Sequence, residues 1–204
     1  MSRIGILGGT YNPPHTGHLH AAKAAQAALG LDRLILLPSF IPPHKEMPQN
    51  TPDAKARLEM TRLAAQEIGA EVSELEISRG GTSYTADTLA EFRKMYPEDL
   101  LWFVMGTDMF LTVQNWVRPQ EIFSLARIAV VLRDDADLEI VEKHRERLLH
   151  EFQCEIDLVS AKAHPISSTE IRENIFDAEN QIYLPESILQ YIKEHGYYVS
   201  KETK

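Results

Sequence analysis

The sequence has little cysteine and little positive charge. Cys154 is the single cysteine among 204 residues, which excludes an intrachain disulfide framework and a cysteine-rich metal site. The 21 Lys and Arg residues are outnumbered by 30 Asp and Glu residues, giving a net charge of −9. Because nucleic-acid binding requires a positively charged surface, this balance argues against a nucleic-acid partner.

Long hydrophobic runs are missing too. No apolar run approaches the ~20 residues that cross a bilayer, so no membrane partner is expected. Residues 1–3 lead directly into the first predicted strand, which leaves no room for the apolar segment of a secretory signal. Together with the single cysteine, these absences predict a cytoplasmic protein.

Several common catalytic and cofactor patterns are absent as well. The segment after the first predicted strand does not match the Gly-x-Gly-x-x-Gly pattern of dinucleotide-binding proteins, and it lacks the Gly-Lys-Ser/Thr end of the Walker loop. No Ser-His-Asp or Cys-His arrangement is evident. The missing Gly-x-Gly-x-x-Gly pattern argues against a dinucleotide-dependent oxidoreductase, which is the main alternative from another functional class.

The chain does contain a regular alternation of short apolar segments and amphipathic helical segments. This alternation predicts an α/β fold, a Rossmann-like doubly wound parallel sheet with C-terminal helices. The length suits a single domain over residues 1–204, with the Rossmann-like core in 1–160 and a helical part in 161–204. Strands are predicted at residues 4–7, 34–37, 72–77, 100–105, 128–132 and 155–159.

Helix boundaries are predicted from caps and from apolar periodicity. The first helix is expected to become regular near Leu19 and to end before Gly30. Thr51 is predicted to cap the second helix, with Pro52 at its first position, where a missing N–H costs nothing. Later helices are expected at residues 86–95, 138–152 and 185–196.

The glycine pair Gly8-Gly9 follows the first strand and precedes two histidines. Glycine lets the backbone turn sharply and approach a ligand closely, because it has no Cβ. His15 and His18 are three residues apart, so they share one face of a helical first turn. The N-terminus of a helix also offers free N–H groups and a positive dipole end. This combination predicts a site for a chain of phosphates.

Polar residues at other strand ends are predicted to lie near this site. The apolar segment 100–105 ends at Gly106-Thr107-Asp108, and the segment 128–132 ends at Arg133. Ligands of open parallel sheets bind at the carboxyl ends of the strands, where the strand order reverses. A structural role explains Asp108 poorly at the end of so apolar a strand, so a functional role is favoured for it.

Residues 166–172, Ile-Ser-Ser-Thr-Glu-Ile-Arg, have two interpretations. Ser167 and Glu170 have the spacing of a helix capping box, which is a purely structural arrangement. Three consecutive hydroxyls with Arg172 one turn later also suit a phosphate site, and capping needs only one of those hydroxyls. The residues alone leave the two interpretations equal.

Taken together, these motifs resemble the adenylyltransferase/cytidylyltransferase superfamily. His15-Thr16-Gly17-His18 behind Gly8-Gly9-Thr10 is similar to its first motif, with Tyr11 in place of the usual Phe, and residues 166–172 are similar to its second. The chain also resembles one branch, the bacterial nicotinate-nucleotide adenylyltransferases, over nearly its whole length. The segments similar to that branch are residues 41–45, Arg57 with Met60, residues 83–88, 106–109 with Trp116 beyond them, and the tail from 184–186 to 196–198; residues 133–154 are the least similar.

The resemblance implies transfer of the adenylyl group of ATP to nicotinic acid mononucleotide, with Mg²⁺ bound mostly by substrate phosphates and water. Nicotinamide mononucleotide or another phosphomonoester, such as phosphopantetheine, remains an alternative acceptor. A nucleotide sensor without activity is a further alternative. The implied catalytic residues are His15, His18 and Arg172. The implied ATP-binding residues are Gly8, Gly9, His15, His18, Gly106, Asp108, Ile166, Ser168, Thr169 and Arg172, and the implied mononucleotide-binding residues are Thr10, Lys45, Thr85 and Trp116.

Some of these side chains also have structural interpretations. Trp116 is large and aromatic, so it could belong to the core, and Lys45 could be a solvated loop residue. Arg57 could brace the loop from its helix, and it is therefore left out of the predicted site. No protein ligands for a metal ion are predicted, and a homo-oligomer is possible.

Overall fold

Six parallel strands form the centre of the fold. The computed structural model describes residues 1–43, 47–48, 50–132, 138–161 and 166–199. Within these ranges the sheet has the strand order β3-β2-β1-β4-β5-β6, and every neighbouring pair is parallel. The strands are β1 Arg3–Gly9, β2 Arg33–Pro38, β3 Glu71–Val72, β4 Leu100–Gly106, β5 Arg127–Leu132 and β6 Ile156–Ser160. The predicted doubly wound parallel sheet is therefore confirmed.

Helices connect the strands and continue beyond the last one. A 3-10 turn at Val113–Asn115 lies between α5 and α6. No helix in the described part of the chain is long and apolar enough to cross a membrane. The helices are α1 Thr16–Leu29, α2 Ala54–Ile68, α3 Leu75–Arg79, α4 Thr85–Met95, α5 Thr107–Phe110, α6 Pro119–Leu125, α7 Leu138–Phe152, α8 Ser168–Glu173, α9 Ala178–Gln181 and α10 Glu186–His195.

The core lies on both faces of the sheet. In β1, Ile4 and Ile6 belong to one cluster of buried residues, and Leu7 belongs to the other. In β4, Trp102 and Phe103 divide between the clusters in the same way. Because side chains alternate between the faces of a strand, a strand covered on both sides needs apolar residues at successive positions. This explains the continuous apolar runs in the sequence.

The strand order reverses between β1 and β4. From β1 the chain builds outward through β2 and β3, and it then returns to add β4 on the other side of β1. The carboxyl ends of β1 and β4, at Gly9 and Gly106, therefore border the crevice in which such sheets bind ligands.

The predicted start of the second helix is wrong. Helix α2 begins at Ala54, and the Asp53 carboxylate caps it by accepting a hydrogen bond of 2.8 Å from the Ala56 N–H. The Thr51 hydroxyl instead accepts a hydrogen bond from the Asn12 side chain. Either residue type can cap a helix, and a contact with a distant loop decides between them here.

The predicted strand at residues 72–77 is largely wrong, because β3 ends at Val72 and α3 occupies Leu75–Arg79. The Ser73 hydroxyl accepts a hydrogen bond from the Leu75 N–H, which turns the chain away from the sheet. The helix then buries Glu76, a residue that an exposed strand would have left in solvent. Helix α1 also starts earlier than predicted, at Thr16.

Candidate active site

Residues 8–15, called the glycine loop below, leave β1 with their backbone packed against aromatic rings. A Cβ on Gly8 would lie 3.1 Å from the ring of Phe103, and a Cβ on Gly9 would lie 3.2 Å from the ring of Tyr11. Tyr11 is buried and donates a hydrogen bond of 2.8 Å from its hydroxyl to the Leu7 carbonyl. The hydroxyl that distinguishes Tyr11 from the usual Phe therefore fastens the loop to its own strand.

The two predicted histidines lie together at the start of α1. His15 caps the helix, and its backbone N–H donates to Nδ1 of His18 at 3.3 Å. The centroids of the two imidazole rings are 3.8 Å apart. Because Nδ1 of His18 accepts this hydrogen bond, the proton of the neutral ring lies on Nε2. His18 thus presents an N–H donor on the side of the ring away from the helix cap.

Burial differs between the two histidines. His15 is only 3% exposed, whereas His18 is half-buried. A Cβ on Gly17 would lie 2.9 Å from Nδ1 of His15 and 3.3 Å from a methyl group of Ile166. The glycine between the histidines therefore lets the His15 ring and the start of the second motif approach the same point of α1.

The second motif, residues 166–172, is hydrogen bonded directly to the glycine loop. The Ser168 hydroxyl donates to the Pro13 carbonyl at 3.1 Å, across 155 residues of sequence. The Arg172 guanidinium donates to the Asn12 carbonyl at 2.7 Å and to the Thr169 hydroxyl at 3.0 Å. The structure thus brings all three predicted catalytic residues to one loop.

The capping interpretation of the second motif is confirmed. Glu170 accepts from the Ser167 N–H at 2.8 Å, and the Ser167 hydroxyl accepts from the Glu170 N–H at 3.2 Å. Of the three consecutive hydroxyls only that of Ser167 acts in the cap, and those of Ser168 and Thr169 contact the glycine loop and Arg172. A phosphate-binding role for these two hydroxyls stays a prediction.

Asn12 and Tyr198 are residues that the sequence did not single out. Asn12 is 3% exposed; its side-chain amide donates to the Thr51 hydroxyl at 3.1 Å, and its Oδ1 accepts from the Tyr198 hydroxyl at 2.6 Å. With the bond from Arg172 to its carbonyl, Asn12 joins three distant segments. The position of Asn12 inside the first motif indicated that it lies near the site, but the sequence does not predict which residues it bonds to.

Arg57 braces the glycine loop from α2, as its structural interpretation predicted. It is 1% exposed, and it donates to the carbonyls of Thr10 at 2.8 Å, Ser39 at 2.6 Å and Phe40 at 2.8 Å. Burial lowers the pKa of the Arg57 guanidinium from its ordinary value. These bonds fix the Thr10 backbone against the segment that follows β2.

Thr85 and Trp116 lie on segments that an ion pair connects. Thr85 is the first residue of α4 and is half-buried. Trp116 is 8% exposed and meets the ring of Phe103 edge-on, with 6.4 Å between the centroids. Beyond it, Arg118 pairs with Asp87 in the first turn of α4. Trp116 thus packs in the core, and a stacking role for it stays a prediction.

Two further predicted residues, Gly106 and Asp108, lie at the carboxyl end of β4. Gly106 caps the short helix α5, and a Cβ added there would meet nothing within 4 Å, so it borders open space. Asp108 is exposed on the first turn of α5. Lys45 and Arg133 lie outside the described residues. Between Gly106 and Asp108, the buried hydroxyl of Thr107 has no hydrogen-bond partner among the described residues.

Comparisons with known proteins agree with these motifs. The family model described as cytidylyltransferase-like matches residues 6–174. A protein of Moorella thermoacetica named probable nicotinate-nucleotide adenylyltransferase is 40% identical over 199 residues, which cover 96% of this chain and 91% of the relative. A protein of the same name from Desulfitobacterium hafniense is 38% identical over 198 residues, covering 96% and 95%.

Solved structures with low sequence identity share the fold. The nicotinic acid mononucleotide adenylyltransferase of Plasmodium falciparum, complexed with NaAD, aligns with a TM-score of 0.78 at 16% identity, over 97% of this chain and 98% of that one. A putative nicotinate-nucleotide adenylyltransferase from Vibrio parahaemolyticus aligns with a TM-score of 0.66 at 21% identity, over 100% and 98%. From the family match and the nearly full-length relatives, this chain belongs to the cytidylyltransferase-like family, among the nicotinate-nucleotide adenylyltransferases.

Proposed function

We propose that this protein transfers the adenylyl group of ATP to nicotinic acid mononucleotide, giving nicotinic acid adenine dinucleotide and pyrophosphate. The observation that carries the proposal is the joining of the two motifs at the glycine loop, where Arg172 and Ser168 bond to the backbone beside His15. Relatives that match nearly the whole chain are named probable nicotinate-nucleotide adenylyltransferase, which supports this reaction.

The reaction requires alignment more than proton transfer. A phosphate oxygen of the mononucleotide attacks the α-phosphorus of ATP, a new P–O bond forms, and the bond to the pyrophosphate leaving group breaks. A phosphate monoester has a second pKa of about 6, so it is mostly ionised at neutral pH and needs no general base. Catalysis of this kind rests on positioning and on stabilising the charge that develops in the transition state.

His18 suits the α-phosphate, where that charge develops. Its Nδ1 accepts a hydrogen bond from the His15 N–H, so the single N–H of the neutral ring lies on Nε2. The bond at the helix cap fixes the direction of this N–H. A donor fixed before substrate binds does not have to reorganise during the reaction, which is what makes such donors effective. His15, more deeply buried, is proposed to contact the phosphates beside the amide groups that begin α1.

Arg172 is proposed to hold the outer phosphates of ATP together with Ser168 and Thr169. Two of its hydrogen bonds go to Asn12 and Thr169, and a guanidinium has five N–H donors. None of the ion pairs within the described ranges involves Arg172. Its charge is therefore not already neutralised by a protein carboxylate there, and the leaving pyrophosphate can use it.

The remaining assignments divide between the two substrates. Gly8 and Gly9 are proposed to let the ATP phosphates approach the backbone, and Asp108 and Gly106 to meet the adenosine ribose. Ile166, 9% exposed and beside Gly17, is proposed to lie along the adenine. The acceptor mononucleotide is assigned to Thr10 and Lys45 at its phosphate, and to Thr85 and Trp116 at its pyridine ring.

Nucleotidyltransferases generally use a divalent metal ion with ATP, and we propose Mg²⁺ carried by the ATP phosphates. Within the described residues, no three His, Cys, Asp or Glu side chains are grouped so that they could hold an ion. This fits an ion that keeps several waters and substrate oxygens and takes only one or two protein carboxylates. When bound, the ion would neutralise part of the charge on the phosphates.

The decisive experiment measures pyrophosphate release with ATP and Mg²⁺, comparing nicotinic acid mononucleotide with nicotinamide mononucleotide. A strong preference for the acid is the expected result. Equal use would keep the adenylyl transfer but overturn the acceptor assignment. If no pyrophosphate is released with either mononucleotide or with other phosphomonoesters such as phosphopantetheine, the proposed enzymatic activity is overturned. That result would favour a nucleotide sensor. The cytoplasmic location and the possible homo-oligomer stay predictions.

A further inference from the structure

Glu76 is a buried carboxylate outside every role assigned above. It lies on α3 and is 6% exposed. Its Oε1 accepts a hydrogen bond of 2.6 Å from the Thr88 hydroxyl, and the Ser83 hydroxyl lies near enough to lower the pKa of the carboxyl. Because burying a charge is costly unless hydrogen bonds and opposite charges offset it, a carboxylate in this position calls for an explanation.

The partners of Glu76 have their hydroxyl protons directed by other groups. The Ser83 hydroxyl accepts from the Phe40 N–H at 2.9 Å, and the Thr88 hydroxyl accepts from Arg79 at 2.9 Å. Each hydroxyl can then use its own proton toward the carboxylate, which in its ionised form only accepts hydrogen bonds. The cluster consists of Phe40, Glu76, Arg79, Ser83 and Thr88, and it is called the Glu76 cluster below.

The Glu76 cluster joins the two segments assigned to the acceptor mononucleotide. Ser83 and Thr88 lie on either side of Thr85, at the start of α4. Phe40 follows β2, and its carbonyl accepts from Arg57, the same side chain that holds the Thr10 carbonyl. The positions of Thr10 and Thr85 are therefore linked through the Arg57 guanidinium, the Phe40 backbone and the Ser83 hydroxyl, and Glu76 holds the α4 side of this link through Thr88.

The loop between α3 and α4 turns at two glycines and is held at its far end by the segment after β2. Gly80 and Gly81 both have positive φ, 69° and 70°, which non-glycine residues rarely adopt. A parallel bridge pairs Ile41 with Thr82, and the Ser83 N–H donates to the Ile41 carbonyl at 2.8 Å. The glycines allow the turn, while the Glu76 cluster and this bridge hold its far end against the segment after β2.

We propose that Glu76 is a positioning residue for the acceptor mononucleotide, which sets the distance between the segment of Thr10 and the start of α4. This inference rests on the proposed function, because it assumes that the acceptor lies between these segments. Glu76 acts through Ser83 and Thr88 and does not touch the substrate. An amide at position 76 would replace one accepting oxygen with a donating NH2 group and would remove the negative charge, so the bonds from the hydroxyls would weaken.

The test compares the wild type with Glu76→Gln. Titration calorimetry measures binding of nicotinic acid mononucleotide without ATP, and initial rates give KM for each substrate. We expect the acceptor Kd and KM to rise about tenfold, with the KM for ATP changed less than about twofold. Glu91→Gln is the matched control, because Glu91 pairs with the same Arg79 guanidinium from a more exposed position, and we expect it to leave both constants unchanged.

Ser83→Ala tests the same link if Glu76→Gln does not fold, which thermal melts will show. It removes one hydroxyl between Phe40 and the carboxylate, and a selective loss of acceptor affinity would again support the proposal. Unchanged acceptor binding in the folded variants, or an equal loss for both substrates, would overturn the positioning role and leave the proposed reaction standing. A wild type that neither binds the mononucleotide nor releases pyrophosphate would overturn the proposed function itself.

Discussion

The Tyr198 hydroxyl donates a hydrogen bond of 2.6 Å to Oδ1 of Asn12, across 186 residues of sequence. Burial raises the pKa of Tyr198 above its ordinary value, although the nearby charges of Arg172 and Arg57 act in the opposite direction. The hydroxyl therefore keeps its proton over the whole physiological range and remains a donor. Its bond leaves the amide nitrogen of Asn12 facing Thr51, so the orientation of the Asn12 side chain is fixed from both ends.

Replacing Tyr198 with Phe should lower kcat while leaving the fold intact. The change removes one hydrogen bond, worth about 1 kcal/mol, from the loop that carries His15 and accepts from Arg172. We expect kcat to fall about three- to tenfold, with a small shift in the unfolding temperature. Tyr197→Phe, one residue away, is the control and should keep the wild-type rate. Equal effects of the two changes would show that the bond to Asn12 has no special role.

His18→Ala should reduce kcat by about two to three orders of magnitude, because it removes a fixed donor to developing charge. It also removes the acceptor for the His15 N–H, and loss of a cap contact costs about 1 kcal/mol of stability. Steady-state kinetics and thermal melts separate the two effects. His20→Ala, at an exposed position of the same helix, should be silent in both. Survival of activity in His18→Ala would refute the role of this side chain.

Arg57→Met should destabilise the protein by about 3 to 5 kcal/mol, because it leaves buried carbonyl groups without their donor. Chemical denaturation measures this loss directly. The control is Arg62→Met on the same helix, where exposed ion pairs with Glu59 and Glu74 are worth less than about 1 kcal/mol. A similar small loss for both variants would mean that Arg57 is dispensable for the glycine loop.

Glu76 should make stability depend on pH. Burial raises the pKa of its carboxyl above the ordinary 4.5, and Glu91 acts in the same direction; hydrogen bonds from Thr88 and Ser83 and the charge of Arg79 act against it. Between 4.5 and the raised value, the folded state holds a proton that the unfolded chain has released. The contribution of Glu76 is therefore complete below pH 4.5 and declines as the pH rises through the folded pKa.

Thermal melts of the wild type and of Glu76→Gln between pH 4.5 and 8 measure this dependence. The variant lacks the titrating group, so its unfolding temperature relative to the wild type should increase with pH across the window. This slope is independent of any constant offset that the substitution introduces. Parallel curves for the two proteins would contradict the raised pKa.

Much of the sheet could be predicted because its strands carry their own signal. Buried parallel strands such as β4 and β5 are apolar at successive positions, and this pattern predicts burial on both faces. The capping box at Ser167 and Glu170 was also predictable, because both partners lie within one helical turn. Local causes therefore gave correct local predictions.

The failures occurred where a distant residue decides the outcome. Thr51 is a good helix cap by type, but it bonds to Asn12 and leaves the cap to Asp53. Residues 75–79 form a helix because Glu76 is buried against Thr88 on another helix, which no periodicity within residues 72–77 reveals. For the site, the motifs made His18 and Arg172 candidates and the sequence offered Arg57 as a brace, but the three carbonyl partners of Arg57 and the bond from Tyr198 to Asn12 are visible only in three dimensions.

The braces on the glycine loop also set the order in which a growing chain can acquire its site. When synthesis has reached Ser160, all six strands are present, yet Arg172 and Tyr198 have not been made. A nascent chain can therefore build its sheet while two of the contacts that hold Asn12 are still absent. The glycine loop would therefore reach its final hydrogen bonding last, when Arg172 and Tyr198 have been added after the sheet is complete.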